Sequence, residues 1–246
     1  MTTLRKMVAV ELKLFLREPL TVVFALALPL ITLFVLGGVF GNIPDPEFYA
    51  GAGAMDFYTP AYIGLVLASI GVVSLPAHLA GNRERGVLRR FRASWVPAAV
   101  VVGAEAVVSL LIALVSGVVL VACAMLLYDV NPPQSALLLV PAFALSALAF
   151  SAIGVMLGSL IPTARAAQAA GMLFWFVMLF LGGAGPPPEV LTGVLQALRH
   201  AIPLTYVVGL LQGPWLGSGW SWVDAGIVAG IGVVAGLVTI RFFKWE

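Results

Sequence analysis

Few side chains in this sequence could do chemistry, and they are scattered. The two histidines and the single cysteine are far apart. His78 falls near the end of one apolar run and His200 near the end of another, so a shared metal is not expected. Neither has a Cys, His or carboxylate at ligand spacing, and no metal site is expected. For both, a polar ring tip near a membrane interface is the expectation. Cys123 lies inside an apolar run and can form no intrachain disulfide. No Ser/His/Asp set assembles on one face, so no catalytic residues are expected and the chain is not read as an enzyme on its own. The lysines are Lys6, Lys13 and Lys244, and none follows a glycine, so there is no G-x-x-x-x-G-K-[ST] nucleotide loop. If ATP drives this protein, another polypeptide binds it.

Three polar or aromatic features stand out against that background. Asn82 to Pro97 is the only strongly charged stretch, with Arg83, Arg85, Arg89, Arg90 and Arg92 around one carboxylate, Glu84, and one glycine, Gly86. Leu88, Phe91 and Arg92 recur at helical spacing, which predicts a short amphipathic helix limited by Pro97. Such a helix is either a surface anchor or a docking element for a soluble partner. Glu105 is an ionisable group inside an apolar run, which marks a functional position by default. Ser109, one turn on, shares its helical face and can donate to it; Glu105 either pairs with an arginine of the N-terminal helix or the basic stretch that snorkels to it, or points back to the headgroups. Phe174, Trp175, Phe176 and Phe180 form an aromatic stretch, read as packing surface or as the lining of a hydrophobic path.

The elements that hold these residues follow from hydropathy. Hydrophobic residues make up 61% of the chain and charged ones 10%, and mean hydropathy is +1.08. That excludes an ordinary soluble domain and defines an integral membrane protein. Six apolar spans are predicted, near Leu20–Phe40, Thr59–Ala80, Ala98–Tyr128, Ser135–Leu160, Ala166–Leu181 and Val223–Ile240. Residues 1–18 are predicted to be an interfacial helix, because Leu4, Met7, Val8, Leu12, Phe15 and Leu16 recur every three or four residues. Gly182 to Pro188 stops the fifth span, and residues 186–212 are too broken to cross, so short re-entrant helices packed on protein are expected there. Trp215, Trp220 and Trp222 are expected to cluster at the interface. Gly154 with Gly158, and Gly226, Gly230, Gly232 and Gly236, make small faces for close helix packing within the subunit or in a dimer. The whole, 1–246, reads as one all-α transmembrane domain.

The charges orient the spans. Arg5, Lys6, Lys13, Arg17, the five arginines of 83–92, Arg165, Arg241 and Lys244 share one side of a six-span topology. On the other side only Arg199 is basic. The positive-inside rule then predicts both termini and residues 83–97 in the cytoplasm, in a multi-pass plasma (inner) membrane protein. Lipid is the expected surrounding, and nucleic acid is not an expected partner.

Two blocks carry a family resemblance. Glu84-Arg85-Gly86-Val87-Leu88-Arg89-Arg90-Phe91-Arg92-Ala93 resembles the "E-R-G-T-L-R-R-L-R-A" signature of type-2 ATP-binding-cassette export permeases, especially the daunorubicin-resistance-like group. Leu198 to Val208, with Pro203, Leu204, Thr205 and Tyr206, is similar to that family's "N-P-[LV]-T-Y" block. The ending Arg241 to Glu246 also looks like this group, and Gly209 stands where relatives often carry a charge. The resemblance implies that 83–97 is a coupling helix seated in a cleft of an ATPase subunit, through Glu84, Gly86, Leu88, Arg89, Arg90 and Phe91. It further implies a homodimer or a pair with a similar permease, with ATP and Mg bound by the partner ATPase and no cofactor on this chain. The cargo implied is an amphipathic or hydrophobic drug, lipid or glycolipid. The alternative from another class is a non-transporting membrane scaffold or sensor that docks a cytoplasmic protein through its arginine-rich loop.

Overall fold

The computed structural model describes residues 2–16, 19–44, 49–87, 97–187 and 190–242. Among them the regular elements are helical, apart from one isolated β-bridge between Pro44 and Gly53. The helices are α1 (Thr2–Leu16), α2 (Pro19–Phe40), α3 (Ala54–Ala68), α4 (Leu75–Glu84), α5 (Ala98–Tyr128), α6 (Ala136–Leu160), α7 (Ala164–Leu181), α8 (Val194–Arg199), α9 (Pro203–Leu216) and α10 (Trp222–Phe242). The chain is an all-α integral membrane protein. Five stretches are long and apolar enough to cross a bilayer: Ala54–Glu84, Gly103–Tyr128, Ala136–Leu160, Ala164–Leu181 and Trp222–Arg241. α2 covers the first predicted span, and its described apolar stretch, Ala27–Phe40, is shorter.

The second span is longer than its hydropathy suggests. α3 and α4 join through a π-helical turn, Ser69–Ser74, into one helix of 31 residues. It is the axis of the protein, nearly all of it buried, with α2, α5, α6, α7 and α9 packed round it. Helices so apolar gain little from leaving lipid, so close van der Waals approach must hold them together. The π turn shows how this is done. A Cβ on Gly71 would lie 2.6 Å from the Phe150 carbonyl oxygen, and one on Gly154 or Gly171 would strike the Gly71 or Val72 carbonyl. Gly158 likewise meets Leu79 of α4. The small pair Gly154/Gly158 therefore packs within the subunit. Gly226, Gly230 and Gly236 of α10 face open space, and Gly232 rests on Ala149.

α1 packs along α5, and its Met7 is buried in a cluster with Leu75, Leu79, Val101, Ala104 and Val155. α10 packs along α6, and α9 along α3. Of the three tryptophans expected to cluster, Trp220 and Trp222 pair edge to face at 5.9 Å. Trp215 instead sits in the core, because the last turn of α9 is covered by neighbouring chain.

Candidate functional site

At the basic end, α4 carries polar side chains into an apolar interior. The helix ends at Glu84, which is exposed, and Gly86 reverses the chain with φ +71° while its N–H donates to the Arg83 carbonyl over 2.9 Å. A positive φ at this place suits glycine. Arg83 folds back to donate to the carbonyls of Ser159, at 3.1 Å, and Ile161. Those carbonyls close the C-terminus of α6, where a cation also meets the negative end of the helix dipole. Arg83 thus fastens α4 to α6 and is not held out for a partner. Leu88, Arg89, Arg90, Phe91 and residues up to 96 lie outside the described residues.

Arg85 turns the other way, with Nη2 3.0 Å from Asn82 Oδ1. Asn82 Nδ2 is 3.0 Å from His78 Nε2, and His78 Nε2 is 3.8 Å from Glu105 Oε1 on α5. His78, Asn82 and Glu105 are 1%, 1% and 4% exposed. His78 is therefore covered by protein. The spacing of i and i+4 on α4 stacks it on Asn82, and the crossing of α4 with α5 brings up a carboxylate that no sequence spacing could show. Ser109 is buried one turn beyond Glu105, as its shared face required. Among the described residues, His78 from the adjacent span stands beside Glu105.

The opposite end is held by side chains gripping backbone. Asp56 accepts from Asn131 N–H at 2.7 Å and Asn131 Nδ2 at 2.8 Å, and its own N–H donates to Asn42 Oδ1 at 3.0 Å. Gln212 Nε2 donates to the Phe57 carbonyl at 3.0 Å, which ties α9 to α3. A cavity of about 1020 Å³ opens here, lined in part by Asp56, Asn131, Gln134, Trp215 and Ser218. Just inside it is an aromatic group that sequence reading missed: Tyr58 stacks on Tyr62 at 5.9 Å, with Phe57 and Tyr49 edge-on to Tyr58. The i, i+4 spacing of Tyr58 and Tyr62 was its available signal.

The block after the fifth span closes on itself. Pro203 starts α9, where a missing N–H is harmless. Leu204 is fully buried, with Cδ1 2.9 Å from where a Gly64 Cβ would stand. Thr205 Oγ1 donates to the Arg199 carbonyl at 2.8 Å, and the Tyr206 hydroxyl to the His200 carbonyl at 2.7 Å, satisfying the end of α8. Gly209, the departure from the family pattern, is backed by a charge from elsewhere: its Cβ would lie 2.7 Å from Asp224 Oδ2 on α10.

The aromatic stretch divides. Trp175 is buried and donates its indole N–H to the Leu65 carbonyl at 3.2 Å, while Phe176 and Phe180 are exposed on the apolar exterior. Phe174 lines a separate apolar groove of about 450 Å³ with Met156, Pro203, Gly230 and Val234. Successive residues of a helix turn by about 100°, so 174, 175 and 176 point three ways.

A buried helical axis and apolar outer faces define a polytopic membrane protein. The chain belongs to the ABC-2 type transporter family, whose model matches residues 2–214. It is therefore the transmembrane component of an ABC transporter, whose ATPase is a separate chain. A comparison with curated proteins finds no match.

Proposed function

We propose that this chain is the six-span permease subunit of an ATP-driven exporter for amphipathic or hydrophobic cargo, a drug, lipid or glycolipid. The crossings are α2, α3 with α4, α5, α6, α7 and α10, and α8 and α9 form the re-entrant segment at the outer face. Both termini and residues 83–97 lie in the cytoplasm, in the plasma (inner) membrane. Two such permeases, identical or similar, pair with two ATPase subunits that bind ATP and Mg. Glu84, Gly86, Leu88, Arg89, Arg90 and Phe91 seat the coupling segment in the ATPase.

The observation that carries this reading is the continuity of the most buried span with the basic segment. α3 and α4 form one helix from Ala54 to Glu84, and the arginines begin on its last turn. A partner that moves residues 83–97 acts directly on the protein's axis, and closure of two ATPase subunits shifts the spans between inward- and outward-facing arrangements. The apolar exteriors of α5, α7 and α10, with few charges, suit cargo that partitions into lipid.

The test is reconstitution with the ATPase that co-purifies with this chain. Gly86→Pro, which φ +71° forbids to a proline, and Glu84→Lys are expected to leave insertion intact while ATPase association falls at least tenfold. Full association and transport with both changes would reduce the segment to a topogenic anchor. Labelling a cysteine at Ser94 in a Cys123→Ala chain only from outside the cell would overturn the orientation.

A further inference from the structure

We infer that the exposed face of α1 binds anionic phospholipid headgroups through Arg5, Lys6 and Lys13, in the leaflet that meets the Glu84 end of the protein. The inference goes beyond the transport role proposed above and needs neither the ATPase nor the cargo.

The two faces of α1 carry it. A helix turns about 100° per residue, so Arg5, Ala9 and Lys13 fall in one row, with Lys6 and Val10 in the row beside it. All five are exposed. The opposite face goes to protein: Met7 is buried in its cluster with Leu75, Leu79, Val101, Ala104 and Val155, and Val8 and Leu12 are half-buried against the core. An amphipathic helix at a membrane surface ordinarily lays its apolar face in lipid. Here that face is taken, and the cationic face is the one left for the membrane.

Charge and position choose the partner. Among the described residues no carboxylate pairs with Arg5, Lys6 or Lys13. Glu11, the acid of α1, stands six, five and two residues from them, off the spacing of a helical ion pair. Only residues 17 and 18 separate α1 from α2, which covers the first predicted span. Leu79 lies in the last two turns of α4 and Val101 in the first turn of α5, so α1 sits level with the ends of membrane-crossing helices. Val10, 45% exposed beside the cations, suits the boundary of headgroup and acyl chain better than water. The long stems of Lys and Arg carry their charge from there to the phosphates. Near an anionic surface each such cation strengthens binding about fivefold. Headgroups that hold α1 also steady the crossing of α4 with α5, because Leu79 and Ala104 of the Met7 cluster adjoin His78 and Glu105.

The experiment places a fluorophore on Val10→Cys in a full-length Cys123→Ala chain, in phosphatidylcholine nanodiscs. Phosphatidylglycerol or further phosphatidylcholine is then added, each with a nitroxide quencher at the top of its acyl chain. Phosphatidylglycerol is expected to quench at a concentration at least tenfold lower. Arg5→Gln with Lys6→Gln and Lys13→Gln should bring the two lipids within twofold, with quenching by phosphatidylcholine retained to show that α1 still lies at the surface. Arg5→Lys should keep the preference. Salt at 1 M, which shortens screening from about 10 Å to about 3 Å, should abolish it in the unsubstituted helix, a result that does not depend on how the triple variant folds. Equal quenching by the two lipids at 0.1 M salt, no quenching by either, or a preference that survives the triple variant would overturn the inference. Loss of quenching by phosphatidylglycerol when the ATPase is added would give the face to protein instead and overturn it too.

Discussion

The two ends of the molecule solve the same problem differently. Each must hold polar groups where a long apolar helix meets its neighbours. At the Asp56 end, side chains mostly bond backbone: Asn42 takes the Asp56 N–H, Asp56 takes the Asn131 N–H, Gln212 reaches the Phe57 carbonyl, and Gln134 and Ser135 donate their N–H groups to Trp215 and Pro214. Backbone donors and acceptors cannot exchange roles, so this end has one satisfied arrangement. At the Glu84 end Arg83 also bonds backbone, but the remaining contacts run from side chain to side chain through an amide and an imidazole, two groups that can reverse donor and acceptor. Under the coupling role proposed for residues 83–97, the end that receives the push is the one whose contacts can rearrange.

The comparison is sharpened first where the helices touch most closely. Gly154→Ala places a methyl group against the Gly71 carbonyl of the π turn. The helices must separate, and the cost is at or above about 3 kcal/mol, the upper end for overpacked sites. Gly226→Ala, which faces open space, should change stability by less than about 0.5 kcal/mol. Thermal unfolding in detergent measures both, and equal effects would mean that the π turn does not need its glycines.

Breaking either end comes next. Asn131→Ala keeps the residue's N–H on the buried Asp56 carboxylate but removes the side-chain donor, and about 2 kcal/mol of stability should go with it. The α5–α6 turn should then become accessible to protease. Glu105→Gln keeps size and hydrogen bonding but removes charge, so it should lower stability by less than about 1 kcal/mol while cutting transport at least tenfold. Normal transport at equal membrane levels would make Glu105 a packing residue, and the two ends would be alike.

Sequence showed the spans well because hydropathy over about 20 residues is a property of composition. Five of the predicted spans, starting near Leu20, Ala98, Ser135, Ala166 and Val223, agree with helices to within a residue or two. The second was drawn too short at both ends, since Asp56 and the Asn82 turn read as polar loop. Both are buried: Asp56 is satisfied by Asn131 in the turn after α5, and Asn82 by His78 on its own helix and by Arg85 just beyond it. Glu105 was legible as unusual, but His78 was not legible as its neighbour, because that contact depends on the register of α4 against α5. Trp215 was read as interfacial by its type alone, and only the fold covers it. The aromatic stretch was different: helical geometry by itself forbade Phe174, Trp175 and Phe176 from sharing a face.

The smallest expected effect concerns Thr205 and Tyr206. If the block Pro203 to Tyr206 touches cargo, removing its hydroxyls should change the cargo concentration needed for half-maximal transport. The geometry argues otherwise, since both hydroxyls are spent on carbonyls at the end of α8, those of Arg199 and His200. Each bond is partly exposed to competing water, which holds its contribution near 1 kcal/mol. The two act on one short helix of six residues, too short to persist without its ends held. Thr205→Val with Tyr206→Phe should therefore leave global unfolding within about 1 kcal/mol of wild type. Amide exchange over residues 194–202 should accelerate by about fivefold or more. Accelerated exchange with an unchanged half-maximal concentration would place these residues in the frame of the protein. The reverse result would put their hydroxyls in the path of the cargo, and the end with one satisfied arrangement would then have a second.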